Sequence, residues 1–440
     1  MHRFGFVWGA AMALVALNSP ATSFMPSFSP QQLRSASPLL MVPVSSALDL
    51  TTQQETMSLA KRYVSLGNSV KQQLGPADFR VLEEELAEDF EFVAPIVGPL
   101  KKSALVEASK GLDFGAAMPD FDARYHDWRP DSDDPRRVWC SMRVTATQTG
   151  PLAFGGMTKL PQVPPAKVES PPEAVSFRFD EKGKLREITT GYVMDRRVGN
   201  TGGLGGVFGI FEAIGSPLPS PLTRTTGELL APLMRLVGVA PPKPDPSLLQ
   251  VPKLSALGGA LPEGELLRLT QQLLDSNFRD ESLLAPSFTY TGPVVGPLPK
   301  AAFVAAFSSY NPSEAFPDLD YQYRDLRACS FDTNRVWYTS SPQGTHTGRL
   351  VLPGGASHEA TGRVWASPPE CGSAQFDSEG KCVGLTGGYV MDRRQGNTGG
   401  LGGVFGICVA LGVKPPFPVF LLRTLAQNVA SLQESVFGKK

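Results

Sequence analysis

Histidine and cysteine are scarce in this chain of 440 residues, which has four of one and five of the other. The cysteines, Cys140, Cys329, Cys371, Cys382 and Cys408, form no C-x-x-C pair, so neither a zinc framework nor a metal site is expected. Cys371 and Cys382 read as buried thiols, with a bridge between them as the alternative. Surplus charge is missing too. Lys and Arg number 41 against 42 Asp and Glu, which leaves no field to draw the chain to nucleic acid. What abounds is glycine and proline, 44 and 40 residues, gathered between periodic segments as turns and linkers.

Acidic residues are absent from residues 1–48. The apolar run from Phe4 to Leu17 is short for a membrane span and is followed by the small residues Ala21, Thr22 and Ser23, which reads as a signal peptide. The next stretch, FMPSFSPQQLRSASPLLMVPVSSAL, is rich in Ser and Pro and carries one Arg, the composition of a transit peptide. A leader over residues 1–50 is therefore expected to send the chain to a plastid. The ATSF string, with Phe24 after the cut, resembles the signature of algae whose plastid sits inside extra membranes. Secretion is the alternative.

Behind the leader the chain repeats itself. GYVMDRRVGNTGGLGGVFGI, from Gly191, returns from Gly388 with 19 of 20 positions identical. PIVGPLKK and PVVGPLPK, PDFDARYHDWR and PDLDYQYRDLR, and the SPPE strings at Ser170 and Ser367 extend the match, so the unit is a whole domain. The expected division is a first domain over 51–240, a Pro-rich linker over 241–260 and a second domain over 261–440. Each copy opens with helical spacing: Phe79, Leu82, Leu86 and Phe90 in the first, Leu266, Leu269, Leu273 and Leu274 in the second. A short helix follows each VGP turn. The period then changes to two in DARYHDWR, RVWCSMRVTATQT, AVSFRFD and KLREITTGYVMD, the last two joined by the hairpin turn Asp180-Glu181-Lys182-Gly183. Helices followed by antiparallel strands predict an α+β domain with helices on one face of a curved sheet, present twice in tandem.

Two helices, a VGP turn, four antiparallel strands and a last strand ending in aspartate before a Gly- and Leu-rich tail resemble the SnoaL-like, polyketide-cyclase-like branch of the nuclear transport factor two superfamily. The resemblance covers both copies and implies two α+β cones, each with an apolar pocket between sheet and long helix. It also implies that a general acid or base would stand at Asp195 and Asp392. Two arginines follow each of these aspartates, and a structural Asp–Arg clamp is the competing expectation.

Comparison of the copies by strand parity picks out further candidates. Tyr125, Asp127 and Arg129 recur as Tyr323, Asp325 and Arg327 on one strand face, while the other face has drifted. The row could transfer a proton or brace the sheet as ion pairs. Trp139 and Trp337, with Tyr192 and Tyr389, complete the candidate ligand-binding set beside Tyr125, Asp127, Tyr323 and Asp325. Each of Tyr192 and Tyr389 lies three residues before its aspartate, on the opposite face unless a bulge intervenes. The glycine string has neither the span and lysine of a P-loop nor an in-frame dinucleotide motif, so no cofactor is expected. Gly202 with Gly206, and Gly205 with Gly209, would make a flat packing surface on a helix, suited to self-association. The tails SPLTRTTGELLAPLMRLVGV and PVFLLRTLAQNVASLQESVF read as amphipathic caps, with contact to a thylakoid surface as the alternative. The function expected is binding of a small apolar molecule, an isoprenoid, pigment or polyketide-like compound. A cyclase or isomerase and a non-catalytic scaffold are the alternatives.

Overall fold

The computed structural model describes residues 47–73, 83–95, 98–109, 112–154, 157–217, 257–293, 295–308, 310–352 and 356–413. Nearly all of the leader, most of the linker, Phe79, Leu82 and both amphipathic tails lie outside them. The first domain runs α1 (Ala47–Gln73), β1 (Leu86–Val93), β2 (Leu100–Lys101), α2 (Lys102–Ser109), α3 (Phe114–Ala117), β3 (His126–Pro130) and β4 (Arg137–Met142). An arm of short strands follows, β5 (Thr145–Gln148), β6 (Leu152–Phe154), β7 (Met157–Lys159) and β8 (Ala166–Glu169). The domain closes with β9 (Glu173–Phe179), β10 (Leu185–Val193) and α4 (Gly206–Ala213).

The second domain repeats this order with α5 (Glu263–Asp275), β11 (Leu284–Thr291), β12 (Leu298–Pro299), α6 (Lys300–Ser308), α7 (Pro312–Ala315), β13 (Arg324–Ala328) and β14 (Arg335–Ser340). Its arm is β15 (Gln343–Thr345), β16 (Leu350–Val351), β17 (Ser357–His358) and β18 (Val364–Ala366), followed by β19 (Glu370–Phe376), β20 (Cys382–Val390) and α8 (Gly403–Leu411). Each domain carries a six-stranded sheet, ordered β2-β1-β10-β9-β4-β3 in the first and β12-β11-β20-β19-β14-β13 in the second. This is the α+β fold expected, built twice.

Two local expectations need correction. Leu86 to Val93 is a strand, not the end of a helix, and it pairs in parallel with β10 and antiparallel with β2. The cause of the misreading is that positions i and i+4, here Leu86 and Phe90, share a face at period two as well as at period 3.6. The sheet therefore has six strands rather than four, one junction of them parallel. In the second copy the helical reading holds: Leu266, Leu269, Leu273 and Leu274 are all buried on α5.

Strand β4 explains how the two domains meet. All six of its residues are buried. Val138, Cys140 and Met142 join the core under α1, with Phe90, Phe177, Leu185 and Ile188. The intervening Trp139 joins a second cluster containing Ala174, Tyr192 and Met194 from its own domain and Trp337, Cys371, Tyr389 and Met391 from the other. Each sheet is thus covered on one face by its long helix and on the other by the sister sheet. Period-two alternation along β4 separates two kinds of interior instead of interior from solvent.

Candidate functional site

The repeated glycine string is dictated by backbone geometry. After β10, Gly199, Gly202, Gly203 and Gly206 have φ of +79°, +65°, +80° and +58°, and their counterparts Gly396, Gly399, Gly400 and Gly403 have +68°, +64°, +78° and +56°. Gly205 lies directly on the carbonyl of Gly191, and Gly402 on that of Gly388, where a Cβ would collide with backbone. Only the last part of the string is helical, so Gly202 and Gly205 do not share a helix face with Gly206 and Gly209 as their spacing suggests.

This path delivers the first turn of α4 to a buried acid. The Gly206 N–H donates to both oxygens of Glu173, at 3.1 and 3.2 Å, and the Gly403 N–H donates to Glu370 Oε1 at 3.0 Å. Glu173 and Glu370 open β9 and β19 and are 1% and 5% exposed. Burial pushes the Glu173 carboxyl up to about 7, against the opposing N–H groups of Gly206 and Gly191. Glu370 is also raised by burial, but Ser367 Oγ donates to it at 2.5 Å and opposes the rise. In the first copy Ser170 Oγ turns instead to the carbonyl of Pro171.

Tyrosines accompany both acids. Burial, with neighbouring Cys140, Tyr63 and Glu173, raises the Tyr125 hydroxyl. Burial likewise raises Tyr290, Tyr310 and Tyr323, each of which senses the charge of Glu370. A carboxyl poised near neutrality among phenols in an apolar interior can give or take a proton from a bound molecule.

The aspartates lie elsewhere, between the domains. Asp195 is fully buried and accepts from Arg197 Nη2 at 2.8 Å and from Arg335 Nη2 of the second domain at 2.5 Å. Asp392 accepts from Arg137 Nη2 of the first domain at 2.8 Å, with Arg394 Nε at 3.5 Å. Burial alone would raise both carboxyls. Arg335 and Arg197 overrule it at Asp195, and Arg137 and Arg394 at Asp392, holding both below the usual carboxylate value. Arg137 and Arg335 are themselves stacked on Trp139 and Trp337, 4.3 and 4.1 Å from the ring centroids.

The remaining candidates divide between these two places. Tyr125 packs in the cone core with Trp128 and Phe177, and Tyr323 contacts Tyr338 and Phe278. Asp127 and Asp325, by contrast, have φ of +52° and +56°, at a break in the β3–β4 and β13–β14 registers. That break ends the simple alternation of the Tyr-x-Asp-x-Arg row. It turns the acids and arginines to the sister domain, where Arg129 Nε meets Asp325 at 3.3 Å and Arg327 Nε stands 3.7 Å from Asp127. The Tyr192 hydroxyl accepts from the Arg393 N–H at 3.2 Å, and Tyr389 from the Arg196 N–H at 3.3 Å. Tyrosine and aspartate do come together, each with the other copy's partner. These contacts come in reciprocal pairs, so the domains are related by an approximate two-fold axis, like the halves of an isologous dimer.

Glu173 and Glu370 were not among the sequence candidates. The repeated SPPE string was visible, but a glutamate that begins a strand carries no mark of burial. Among the described residues, no cluster of His, Cys, Asp and Glu could hold a metal ion.

No protein-family model matches the chain, and no curated protein matches it in sequence. Solved structures similar to it include a phenazine biosynthesis-related protein from Pseudomonas aeruginosa, at 16% identity and TM-score 0.25 over 42% of this chain and 94% of that one. Another is a putative SnoaL-like polyketide cyclase from Jannaschia sp. CCS1, at 16% identity and TM-score 0.21 over 28% of this chain and 85% of that one. A third is the epoxide hydrolase/cyclase-like enzyme SalBIII of pyran ring formation in the polyether salinomycin, at 12% identity and TM-score 0.24 over 35% of this chain and 96% of that one.

Proposed function

We propose that the chain binds a small apolar molecule, of isoprenoid, pigment or polyketide-like character, inside its first cone and against Glu173. The observation that carries this reading is a fully buried carboxyl raised to about 7, facing the cone that holds Tyr125. The two cones differ in what fills them. Tyr338, beside a glycine at Gly372 that leaves no room for a Cβ, stands where the first domain has Cys140, and Tyr290 where it has Phe92. At these two positions the first cone has the smaller side chain, whereas Trp128 and Phe177 outsize their counterparts Leu326 and Ala374. The ligand is assigned to the first cone because its acid is the one raised to about 7.

The enzymatic alternative, cyclisation or isomerisation at Asp195 and Asp392, requires carboxylates that change protonation near neutral pH. Both are anions held by two arginines each. An acid–base step falls more naturally to Glu173. The scaffold alternative draws support from the charged contacts between the domains.

Mass spectrometry of small molecules extracted from the purified full-length protein tests the binding reading. An apolar compound should accompany the wild type and Tyr338→Cys and be absent from Cys140→Tyr, which fills the first cone as the second is filled. Retention by Cys140→Tyr would remove the cone from consideration. The leader is proposed to direct the chain to the plastid, on the strength of its acid-free, two-part composition. A fluorescent fusion to residues 1–50 that accumulated outside the plastid would contradict this.

A further inference from the structure

The two ends of the interdomain interface are built on the same plan but are not equally furnished. At one end Arg394 donates to Glu91 at 3.0 Å and pairs with Glu187 at 2.6 Å, and Glu187 also stands 3.6 Å from Arg137. Glu91 and Glu187 are register partners across β1 and β10. At the other end the register partners across β11 and β20 are Thr289 and Gly384. Both carboxylates are missing there, although the arginines they would serve, Arg197 and Arg335, remain.

Arg335 is compensated by Asp332, at 3.1 Å. Arg197 is not fully compensated. Its Nε and Nη2 bind Asp195, but Nη1 is buried and has no hydrogen-bond partner among the described residues, on a side chain only 2% exposed. Gln375 Oε1, beside Gly384, and Thr291 Oγ1, on β11, are also buried without a partner. A buried guanidinium N–H left unpaired costs its full desolvation. A Cβ at Gly384 would make ordinary van der Waals contact only, with the nearest atoms of Gln375 at 3.8 and 3.9 Å.

We propose that a small carboxylate binds beside Arg197 and Gly384, in the place that Glu91 and Glu187 hold at the pseudo-symmetric end. Arg197 Nη1 donates to one carboxylate oxygen. The Thr291 hydroxyl donates to the other, and Gln375 Oε1 accepts from the ligand where it carries a neighbouring hydroxyl or amine. The molecule is thus a small hydroxy or amino acid anion rather than an apolar compound, and its site is separate from the cone interior. Because it sits against Asp195, Arg197 and Arg335, its binding stabilises the docking of one domain on the other.

Thermal melting of the full-length protein with acetate as the probe tests this. The wild-type melting temperature should rise saturably with acetate and far less with chloride at matched ionic strength. Gly384→Glu supplies the missing carboxylate from the chain itself and should abolish the acetate response. Glu187→Gly opens the equivalent position at the other end and should enlarge it. Equal effects of acetate and chloride on the wild type would overturn the proposal, as would an undiminished response in Gly384→Glu. If Gly384→Glu does not fold, Glu187→Gly decides: an enlarged response sustains the site and an unchanged one rejects it. Inorganic phosphate acting at lower concentration than acetate would reject the assignment to a carboxylate.

Discussion

Asp195 of the first domain and Arg335 of the second share a hydrogen bond of 2.5 Å although 140 residues separate them, and Asp392 and Arg137 mirror the pair at 2.8 Å. Neither aspartate is more than 1% exposed. Replacing Asp195 with Asn leaves Arg197 and Arg335 short of a counter-charge inside the interface. The expected loss is about 3–5 kcal/mol of stability, with a similar or smaller loss for Asp392→Asn. Chemical denaturation of the two variants measures it, and unchanged midpoints would dismiss the clamp.

Coupling between the partners can be isolated. In a double-mutant cycle, Asp195→Asn and Arg335→Met should show an interaction of about 1–3 kcal/mol. Asp195→Asn with Arg137→Met, which belong to opposite ends of the interface, should be close to additive. Additivity at both pairs would mean that the domains dock by apolar contact alone.

Separation of the domains should reveal the interface. A fragment comprising residues 47–217 exposes Trp139, Tyr192 and Met194 and leaves Arg137 and Asp195 without their cross-domain partners. Its own surface is nearly self-complementary, since the Asp–Arg and tyrosine–backbone contacts each have a reciprocal in the sister domain. It is expected to form a homodimer, detectable by sedimentation. A stable monomer at micromolar concentration would show the interface to be dispensable.

Stability should depend on pH in two opposite senses. Glu173, raised to about 7 in the fold from an ordinary 4.5, keeps its proton in the native state longer than in the unfolded chain. Its contribution is full below pH 4.5 and is lost as pH rises through 7, because the native state binds the extra proton in that window. Glu173→Gln should flatten this slope. Asp195, lowered from 3.8 by Arg335 and Arg197 against its burial, acts the other way. Its contribution is present above pH 3.8 and disappears on further acidification. Melting curves from pH 3 to 8 on wild type and Glu173→Gln distinguish the two.

The glycine string yields a prediction in its own right. Gly205→Ala and Gly402→Ala each drive a methyl group into the backbone of the preceding strand end, at Gly191 and Gly388. Each should cost more than about 2 kcal/mol. Gly67→Ala, where nothing lies within 4 Å of the added carbon, should be neutral or slightly stabilising. A comparison of melting temperatures suffices, and equal effects at the three sites would refute the steric account.

Much of the fold could be read from the chain because repetition exposed it. The hairpin at Asp180, the helix carrying Leu266 and Leu273, and the strands around Val138 and Phe177 follow from period and turn chemistry that both copies share. Residues 86–93 misled because two apolar positions four apart satisfy helix and strand alike. The candidate site was harder for a different reason. Parity places Tyr125 and Asp127 on one face only while the strand is regular, and the positive φ at Asp127 cannot be inferred from its neighbours. Nor could sequence show that both faces of β4 are buried, since the second covering is supplied by a residue such as Trp337, almost 200 positions away. Glu173 became visible as a candidate only once its burial was known.

Fusion of two like domains into one chain removes a rule that binds symmetric dimers. In a homodimer a substitution at an interface necessarily occurs twice, so a lost carboxylate is lost on both sides of the axis. Here Glu91 and Glu187 stand on one side while Thr289 and Gly384 stand on the other. One half retains a closed network of charges as a fixed hinge plate, leaving its twin at liberty to become something the ancestor of the pair was not.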